Sequence, residues 1–277
     1  MRAPVTDWVR GTLFRLWSGR RPKPGLRILT YHGGDEAIAL REHVRVLQDC
    51  CTIVGADDVA GMVTGERPWP TDRTEVLITF DDGWLDAHER ARDLPQWIGR
   101  SPIMFVVGAT LCAPTRATGP WLARYWHPMR QLCGPAELRD LLRAGWTLGG
   151  HTWSHCDCGQ PQDWEQEITA SRAALADFAG SEPRFFAYPF GRPQNVSKGA
   201  QQAVRDAGYL AAMTTVRGAN APSTPRTALH RDSVHCGWGA AHIRGLLVGP
   251  LDHCRRPPVS PEAHPSEPRT AHGHYAS

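Results

Sequence analysis

The chain has 277 residues, 41% of them hydrophobic and 21% charged, which is ordinary for a soluble globular protein and long enough for a sizeable core. A net charge of +3 is too small to point to nucleic acid, and Lys23 and Lys198 are the only lysines beside many arginines. The eight cysteines form no CxxC pair, which argues against a zinc ribbon or a thioredoxin-type motif.

The first 27 residues are basic and lack the apolar stretch of a secretory leader, so the expected setting is cytoplasmic, with free thiols. The longest apolar run, near Met104 to Ala113, falls short of the ~18 residues of a membrane span.

Residues 1–24 read as a basic amphipathic arm. Trp8, Val9, Leu13, Leu16 and Trp17 recur at helical spacing, with Arg10, Arg15, Arg20 and Arg21 around them. Such a helix either packs on its own domain or makes peripheral contact with a membrane, here at its inner face. A strand over Leu26–Tyr31 follows, then a helix over Glu36–Gln48 with Leu40, Val44 and Leu47 on one face. Strands are predicted at Glu75–Phe80 and Ile103–Val107. A helix over Pro135–Ala144 starts on a proline and meets Gly145 where a cap belongs. Next come a strand at Trp146–Leu148 and a helix at Asp163–Ala179 ended by Gly180, then strands at Arg184–Ala187 and Tyr209–Thr214. From about Pro250 the chain is rich in Pro, Ser and His without periodicity, and residues 250–277 are expected to be a disordered tail. Residues 25–249 thus form one unit of alternating strands and helices. That pattern argues for a parallel sheet, open or closed into a barrel, with functional groups at the carboxyl ends of the strands.

Several polar groups fall at such ends. Asp81 and Asp82 follow the apolar run Val76-Leu77-Ile78 and precede Gly83, whose freedom permits the turn that lets two neighbours reach one site. Paired acids there can divide labour, one on a metal and one taking a proton. His151 and His155, four residues apart after the predicted strand at Trp146–Leu148, can converge on one ion. With one carboxylate they make a two-His, one-carboxylate set that leaves open positions for water and substrate. The ligand set alone does not choose the metal, and a redox-neutral divalent ion such as zinc is favoured; Cys156 and Cys158 are competing soft ligands. Tyr188-Pro189-Phe190-Gly191 could aim an amide N–H at a developing oxyanion. His32, on a Gly33-Gly34 turn, is placed as a general acid. Trp84, Trp121, Trp126, Trp153 and Trp238 are either sugar platforms or core residues.

Together, TFDDG at 79–83 and HTWSH at 151–155 resemble, in order and separation, the first two motifs of the polysaccharide deacetylases, the NodB-homology or carbohydrate esterase family 4 enzymes. AYPFG at 187–191 looks like the third, and the resemblance runs from about Arg27 to Val234. It implies a distorted (β/α)7 barrel and metal-dependent removal of acetyl groups from an acetylated poly- or oligosaccharide, either an amino-sugar polymer or a lipid-linked saccharide. It further implies Asp81 as base, Asp82, His151 and His155 as metal ligands, and the Phe190 backbone N–H as an oxyanion donor. Two departures stand out. The arginine that the family often has at the position of Ala187, paired with the base, is missing, and Arg231 and Arg184 are the candidate substitutes. The usual Leu-x-His motif is not clean either, because Leu229-His230-Arg231 has the wrong spacing. Leu29-Thr30-Tyr31-His32 looks instead like the early Tyr-His strand of the circularly permuted bacterial exopolysaccharide deacetylases, so His32 is preferred to His230 as the acid. An O-acetyl esterase and a catalytically silent carbohydrate-binding protein on the same fold remain the alternatives.

Overall fold

Eight strands lie parallel in one curled sheet, in a computed structural model that describes residues 12–33, 39–112, 131–235 and 237–252. In chain order the elements are β1 (Gly25–Tyr31), α1 (Leu40–Cys50), β2 (Thr52–Val54), α2 (Ala56–Thr64), β3 (Thr74–Phe80), α3 (Leu85–Ala91), α4 (Leu94–Ile98) and β4 (Ile103–Val106). There follow α5 (Pro135–Arg143), β5 (Thr147–Gly150), α6 (Ser171–Ala179), β6 (Phe185–Ala187), α7 (Lys198–Asp206), β7 (Ala211–Met213), β8 (Asp232–Ser233) and α8 (Ala240–Val248). The hydrogen-bonded path β7-β6-β5-β4-β3-β1-β8 holds seven strands, the number that the resemblance implies. The short β2 lies off this path, pairing with Glu75 to Leu77 of β3 while β4 pairs further along with Thr79 and Phe80. One segment joins the two ends of the sheet: Leu229 bridges to Met213 of β7, and three residues later Asp232 pairs with Leu29 of β1. The sheet is therefore a distorted (β/α) barrel closed at that seam.

Strand alternation separates two cores. Leu26 and Ile28 of β1, Leu77 of β3, Ile103 and Phe105 of β4, Phe185 and Ala187 of β6, and Met213 of β7 fill the barrel interior together with Val59, Ala60 and Met62 of α2. The intervening residues Leu29, Tyr31, Val76, Ile78, Phe80, Met104 and Val106 face outward against Val44, Leu47, Leu138, Ile243 and Leu247 of the surrounding helices. Full burial of each such side chain contributes roughly 1.5–3 kcal/mol. The alternation also fixes what lies above the apolar interior. Continuing the inward register gives Thr30 on β1 and His32 just after it, Thr79 on β3 and Asp81 just after it, and His151 after β5. The barrel is apolar where the strands begin and polar where they end.

The helix predicted over Glu36–Gln48 is found at Leu40–Cys50, with Leu40, Val44 and Leu47 buried as their spacing requires; residues 34–38 lie outside the described part. Helix α5 starts as predicted on Pro135, and the Glu137 carboxylate accepts a hydrogen bond from the Gly134 N–H at 2.9 Å. The helix predicted over Asp163–Ala179 is divided into a π-helical segment, Glu165–Ala170, and α6, which ends on a left-handed Gly180.

Of the arm, residues 12–17 are helical. Their buried residue is Phe14, which was not on the predicted stripe: its ring meets Trp238 edge-on at 5.2 Å, and its carbonyl lies against Gly245 of α8. Leu16, which was on the stripe, is 74% exposed. The segment therefore packs on the domain through Phe14, with Leu13 and Trp17 half-buried, and leaves Leu16 outside. Trp8 and Val9 at one end and residues 253–277 at the other lie outside the described residues. No helix among those described is long and apolar enough to cross a membrane.

Candidate metal-dependent active site

His32, Asp81, Asp82, His151, His155, Phe190 and Thr215 line one cavity of about 190 Å³ at the carboxyl end of the barrel. That is below the ~300–1,000 Å³ of pockets that enclose a whole ligand, so the space suits one substituent of a larger molecule. Four non-glycine residues among those described have left-handed φ angles: Asp82 (70°), Thr152 (59°), His155 (59°) and Phe190 (61°). All four belong to the three sequence motifs. Such conformations cost energy and persist where the surroundings enforce them, commonly at functional sites. The turn after β3 thus begins at Asp82 itself and continues through Gly83 (φ 76°), one residue earlier than Gly83 alone would give. This lets Asp81 point into the barrel while Asp82 turns towards the histidines.

Asp82 Oδ1 lies 3.3 Å from His151 Nε2 and 3.2 Å from His155 Nε2, and all three residues are buried. Among the described residues this is the one group of three or more His, Cys, Asp or Glu side chains whose ligand atoms converge. Two ligands bonded to one ion at about 2.0–2.1 Å and meeting at about 100° are separated by roughly 3.2 Å, so the spacing fits a common cation. The donor chemistry agrees. His151 Nδ1 lies 2.7 Å from the Ala187 carbonyl, which can only accept, so that nitrogen carries a proton. Nε2 then donates to Asp82 when the ring is charged, and when the ring is neutral it turns a lone pair towards Asp82 that a cation between them would take. The other Asp82 oxygen accepts a 2.8 Å bond from the Trp84 indole N–H. Burial pushes the Asp82 pKa up, but the hydrogen bonds and charges of His151 and His155 outweigh it and hold the carboxyl well below its ordinary range. The sequence-proposed ligands fit a divalent metal.

Asp81 is gripped by Arg231. The two terminal guanidinium nitrogens meet the two carboxylate oxygens at 2.6 and 2.8 Å, and Arg231 Nε donates to the Thr214 carbonyl at 2.9 Å. Burial acts to raise the Asp81 pKa, and the Arg231 charge, helped by His151 and His32, reverses this and leaves the carboxyl below its usual value. Of the two candidate substitutes for the missing arginine, the structure therefore brings Arg231 to the base. Arg184 is not that partner: it lies immediately before β6, at the amino end of the strand, and its side chain pairs with Asp57 of α2. His32 Nε2 is 4.0 Å from Asp81 Oδ2, and its side chain is one-third exposed at the mouth of the cavity. His230 is not among the lining residues, and its backbone N–H and carbonyl are both tied to the Asn220 side chain.

Phe190 lines the cavity and places its ring against His155, with centroids 5.0 Å apart. Three supporting residues have no signature in the sequence. Thr215 pins the Phe190–Gly191 turn, its Oγ1 donating to Phe190 O at 2.8 Å and its N–H to Gly191 O at 2.7 Å. Glu167, from the π-helical segment, accepts bonds from the Trp153 and Ser154 N–H groups and from the Ser154 hydroxyl, at 3.0, 2.9 and 2.7 Å. It thereby braces the loop between the two histidines. Trp84 is the third; it is fully buried, so it serves Asp82 and not a sugar ring. Trp238 is likewise buried, Trp153 is half-buried, and Trp121 and Trp126 lie outside the described residues. Cys158 is buried beside Ile168 and Phe186, outside the ligand group, and Cys156 is not part of that group either.

The polysaccharide deacetylase profile matches residues 69–212, just over half of the chain. The chain belongs to the polysaccharide deacetylase family. YxkH of Bacillus subtilis (strain 168), whose name places it in the same family, is 23% identical over 234 residues, covering 81% of this chain and 77% of that protein. Among solved structures, the Streptococcus pyogenes deacetylase PplD in complex with acetate superposes with a TM-score of 0.64 at 16% identity, over 82% of this chain and 99% of that one. A de-N-acetylase from Aggregatibacter actinomycetemcomitans gives 0.65 at 14% identity, over 80% and 99%. At these identities the structural likeness shows the fold. As a polysaccharide deacetylase the chain is a deacetylating hydrolase, and the Asp82, His151 and His155 group is compatible with a divalent metal.

Proposed function

We propose that this polysaccharide deacetylase hydrolyses the N-acetyl amide of an amino sugar, in a polysaccharide or a lipid-linked saccharide, and releases acetate. The observation that carries this reading is the junction of Asp82 Oδ1 with both histidine Nε2 atoms, beside a second carboxylate held by an arginine. Asp82, His151 and His155 would hold a divalent ion, which we take to be zinc. When bound, such an ion supplies Lewis acidity to the acyl oxygen and acidifies water.

The chain's own groups divide the remaining work. Asp81, ionised by its pairing with Arg231, takes a proton from the attacking water; each oxygen keeps a lone pair beyond its bond to the guanidinium. The Phe190 backbone N–H, on a left-handed turn that Thr215 fixes, donates to the developing oxyanion. His32, at the open mouth, gives a proton to the departing nitrogen as the C–N bond breaks. Acetate leaves, and the sugar amine carries that proton. Amide over ester is favoured by the fold likeness to the de-N-acetylase. The arginine missing at the position of Ala187 favours a catalytically silent scaffold, but Arg231 stands in for it at Asp81.

Peripheral contact with a membrane belongs to this reading as the way a lipid-linked saccharide would be met. Its support is the 74% exposed Leu16 among the exposed Arg15, Arg20 and Arg21, with Arg20 stacked 3.8 Å from the Trp17 ring centre. Flotation with anionic vesicles, weakened by Leu16→Glu, would support it, and no flotation would remove it.

The central test measures zinc content and acetate release from acetylated chito-oligosaccharides, with an O-acetylated saccharide as the competing substrate. Asp82→Asn is expected to lose both metal and turnover, and Asp81→Asn to keep metal and lose turnover. A fully active Asp81→Asn protein would overturn the assignment, and preferential release from the ester would move the reading to an O-acetyl esterase.

A further inference from the structure

At the opposite end of the barrel, where α1 gives way to β2, two cysteines stand side by side. Cys50 is the last residue of α1, and Cys51 is extended (φ −143°, ψ 169°). The change from helix to strand brings the two side chains to one side, with Sγ atoms 3.6 Å apart. Both are half-buried, so each keeps some access to solvent. Cys50 Sγ also donates to the Val46 carbonyl at 2.9 Å, which helps to fix its rotamer. The nearby Arg244 of α8 pairs with Asp49 at 3.2 Å and brings positive charge to the thiols. A hydrogen bond from Cys51 to the Cys50 sulfur, with help from Arg244 against the opposing effect of burial, lowers the Cys50 thiol to about 7. The same hydrogen bond, with burial, raises the Cys51 thiol.

What can such a pair hold? A direct S–S bond fits poorly. Disulfides need Cα atoms about 4.4–6.8 Å apart, whereas neighbours across a trans peptide are separated by about 3.8 Å, and the described residues contain no cis bond. A gap of 3.6 Å is instead closed by one bridging atom with two bonds of metal–sulfur length, about 2.3 Å each. Tetrahedral zinc would want further protein donors, and the described residues hold no third His, Cys, Asp or Glu converging with these two. The geometry selects a centre satisfied by two thiolates.

We propose that Cys50 and Cys51 form a dithiol site for a monosubstituted trivalent arsenical, independent of the deacetylase centre. Thr52, the next residue, is in register with Glu75, six residues before Asp81 on β3, which puts the two sites roughly 20 Å apart. With phenylarsine oxide the step is a condensation. Two As–S bonds form, the bonds to oxygen break, and the two thiol protons leave with that oxygen as one water; nothing is oxidised or reduced.

The test is intact-mass spectrometry of the full chain with phenylarsine oxide in the presence of excess glutathione, which strips arsenic held by a single thiol. One arsenical per chain should persist and be removed by 2,3-dimercaptopropanol. Either Cys50→Ser or Cys51→Ser should abolish the adduct, while Cys112→Ser should leave it. Because a serine variant could also unfold, peptide mapping of the wild-type protein supplies a second reading: bound arsenical should protect Cys50 and Cys51 from iodoacetamide. No glutathione-resistant adduct, or one that survives both variants with Cys50 and Cys51 still alkylated, would overturn the proposal.

Discussion

Arg231 reaches Asp81 from 150 residues away in sequence and binds both of its carboxylate oxygens, from the segment that closes the barrel. The arginine has no exposed surface and lies over the Phe105 ring, and its NH1 is also 3.2 Å from the Thr30 hydroxyl. A planar fork held on three sides fixes the carboxylate in one orientation. The adjacent Asp232 anchors the same strand through a buried 2.7 Å pair with Arg27. The placement of the proposed base is therefore a property of the seam as much as of β3.

Arg231→Lys keeps the charge and loses the fork. Misplacement of a reacting group by an ångström can cost about 100-fold in rate, so we expect a kcat loss of that order with KM little changed. The pH dependence should move as well. Arg231 is the main influence lowering the Asp81 pKa against burial, so weakening it lets burial raise that pKa. The base would then be protonated at higher pH, and the acidic limb of the kcat profile should shift upward. A lower rate with an unmoved acidic limb would mean that Arg231 acts elsewhere.

The same pair makes a prediction about acid stability. The Asp81 pKa in the folded chain lies below its unfolded value, so the pair contributes stability that is fully present above the unfolded value of about 3.9 and disappears as pH falls through the folded one. Urea midpoints of the wild-type protein should drop as pH falls below about 4. Asp81→Asn, which cannot titrate, should be less stable at neutral pH and show a shallower acid decline. Parallel curves for the two proteins would remove Asp81 as a source of the acid sensitivity.

Much of this arrangement is legible in the sequence, for reasons that also mark the limits. Strands β1, β3 and β4 are buried on both faces and read as mainly apolar runs, so they stand out at nearly their observed bounds. β2 and β8 have three and two residues, too few for any periodicity to be detected. The proposed metal ligands are legible because Asp82, His151 and His155 each end or follow a strand, which places them at one end of a barrel whatever the loops do. Arg231 was only one of two candidates, because the choice against Arg184 depends on the seam between β7 and β1, and a closure has no local signature. Phe14 was missed since the apolar stripe of Leu13, Leu16 and Trp17 hid a single inward residue.

Glu167 and Trp84 should tune metal retention without touching the metal. Partners that orient ligands typically change affinity about 10–100-fold when lost. Glu167→Ala frees the Trp153 and Ser154 N–H groups that hold the histidine loop, and Trp84→Phe removes the donor to Asp82 while keeping a ring in the core. Zinc competition against a chromogenic chelator should show weaker retention in both variants, with far-ultraviolet circular dichroism unchanged. Retention equal to wild type would show that the ligands are held well enough without them.

The last prediction concerns Gly150, the residue before His151. A Cβ there would collide with the Tyr209 hydroxyl, and at Gly149 it would come within 2.6 Å of the Phe105 ring. The glycines of β5 are therefore needed for close packing, which the sequence alone gives no means to tell from flexibility. Gly150→Ala should overpack the wall that carries His151 and cost about 1–3 kcal/mol. For a domain of this size that lowers Tm by roughly 2–4 °C per kcal/mol. The Tyr209 hydroxyl is buried with no hydrogen-bond partner among the described residues, so Tyr209→Phe removes the colliding atom at little cost of its own. The double variant should recover part of the lost Tm, and the size of that recovery measures the contact directly. If the two changes simply add, the strain of Gly150→Ala lies in the backbone, and the close approach of Tyr209 is not what requires glycine.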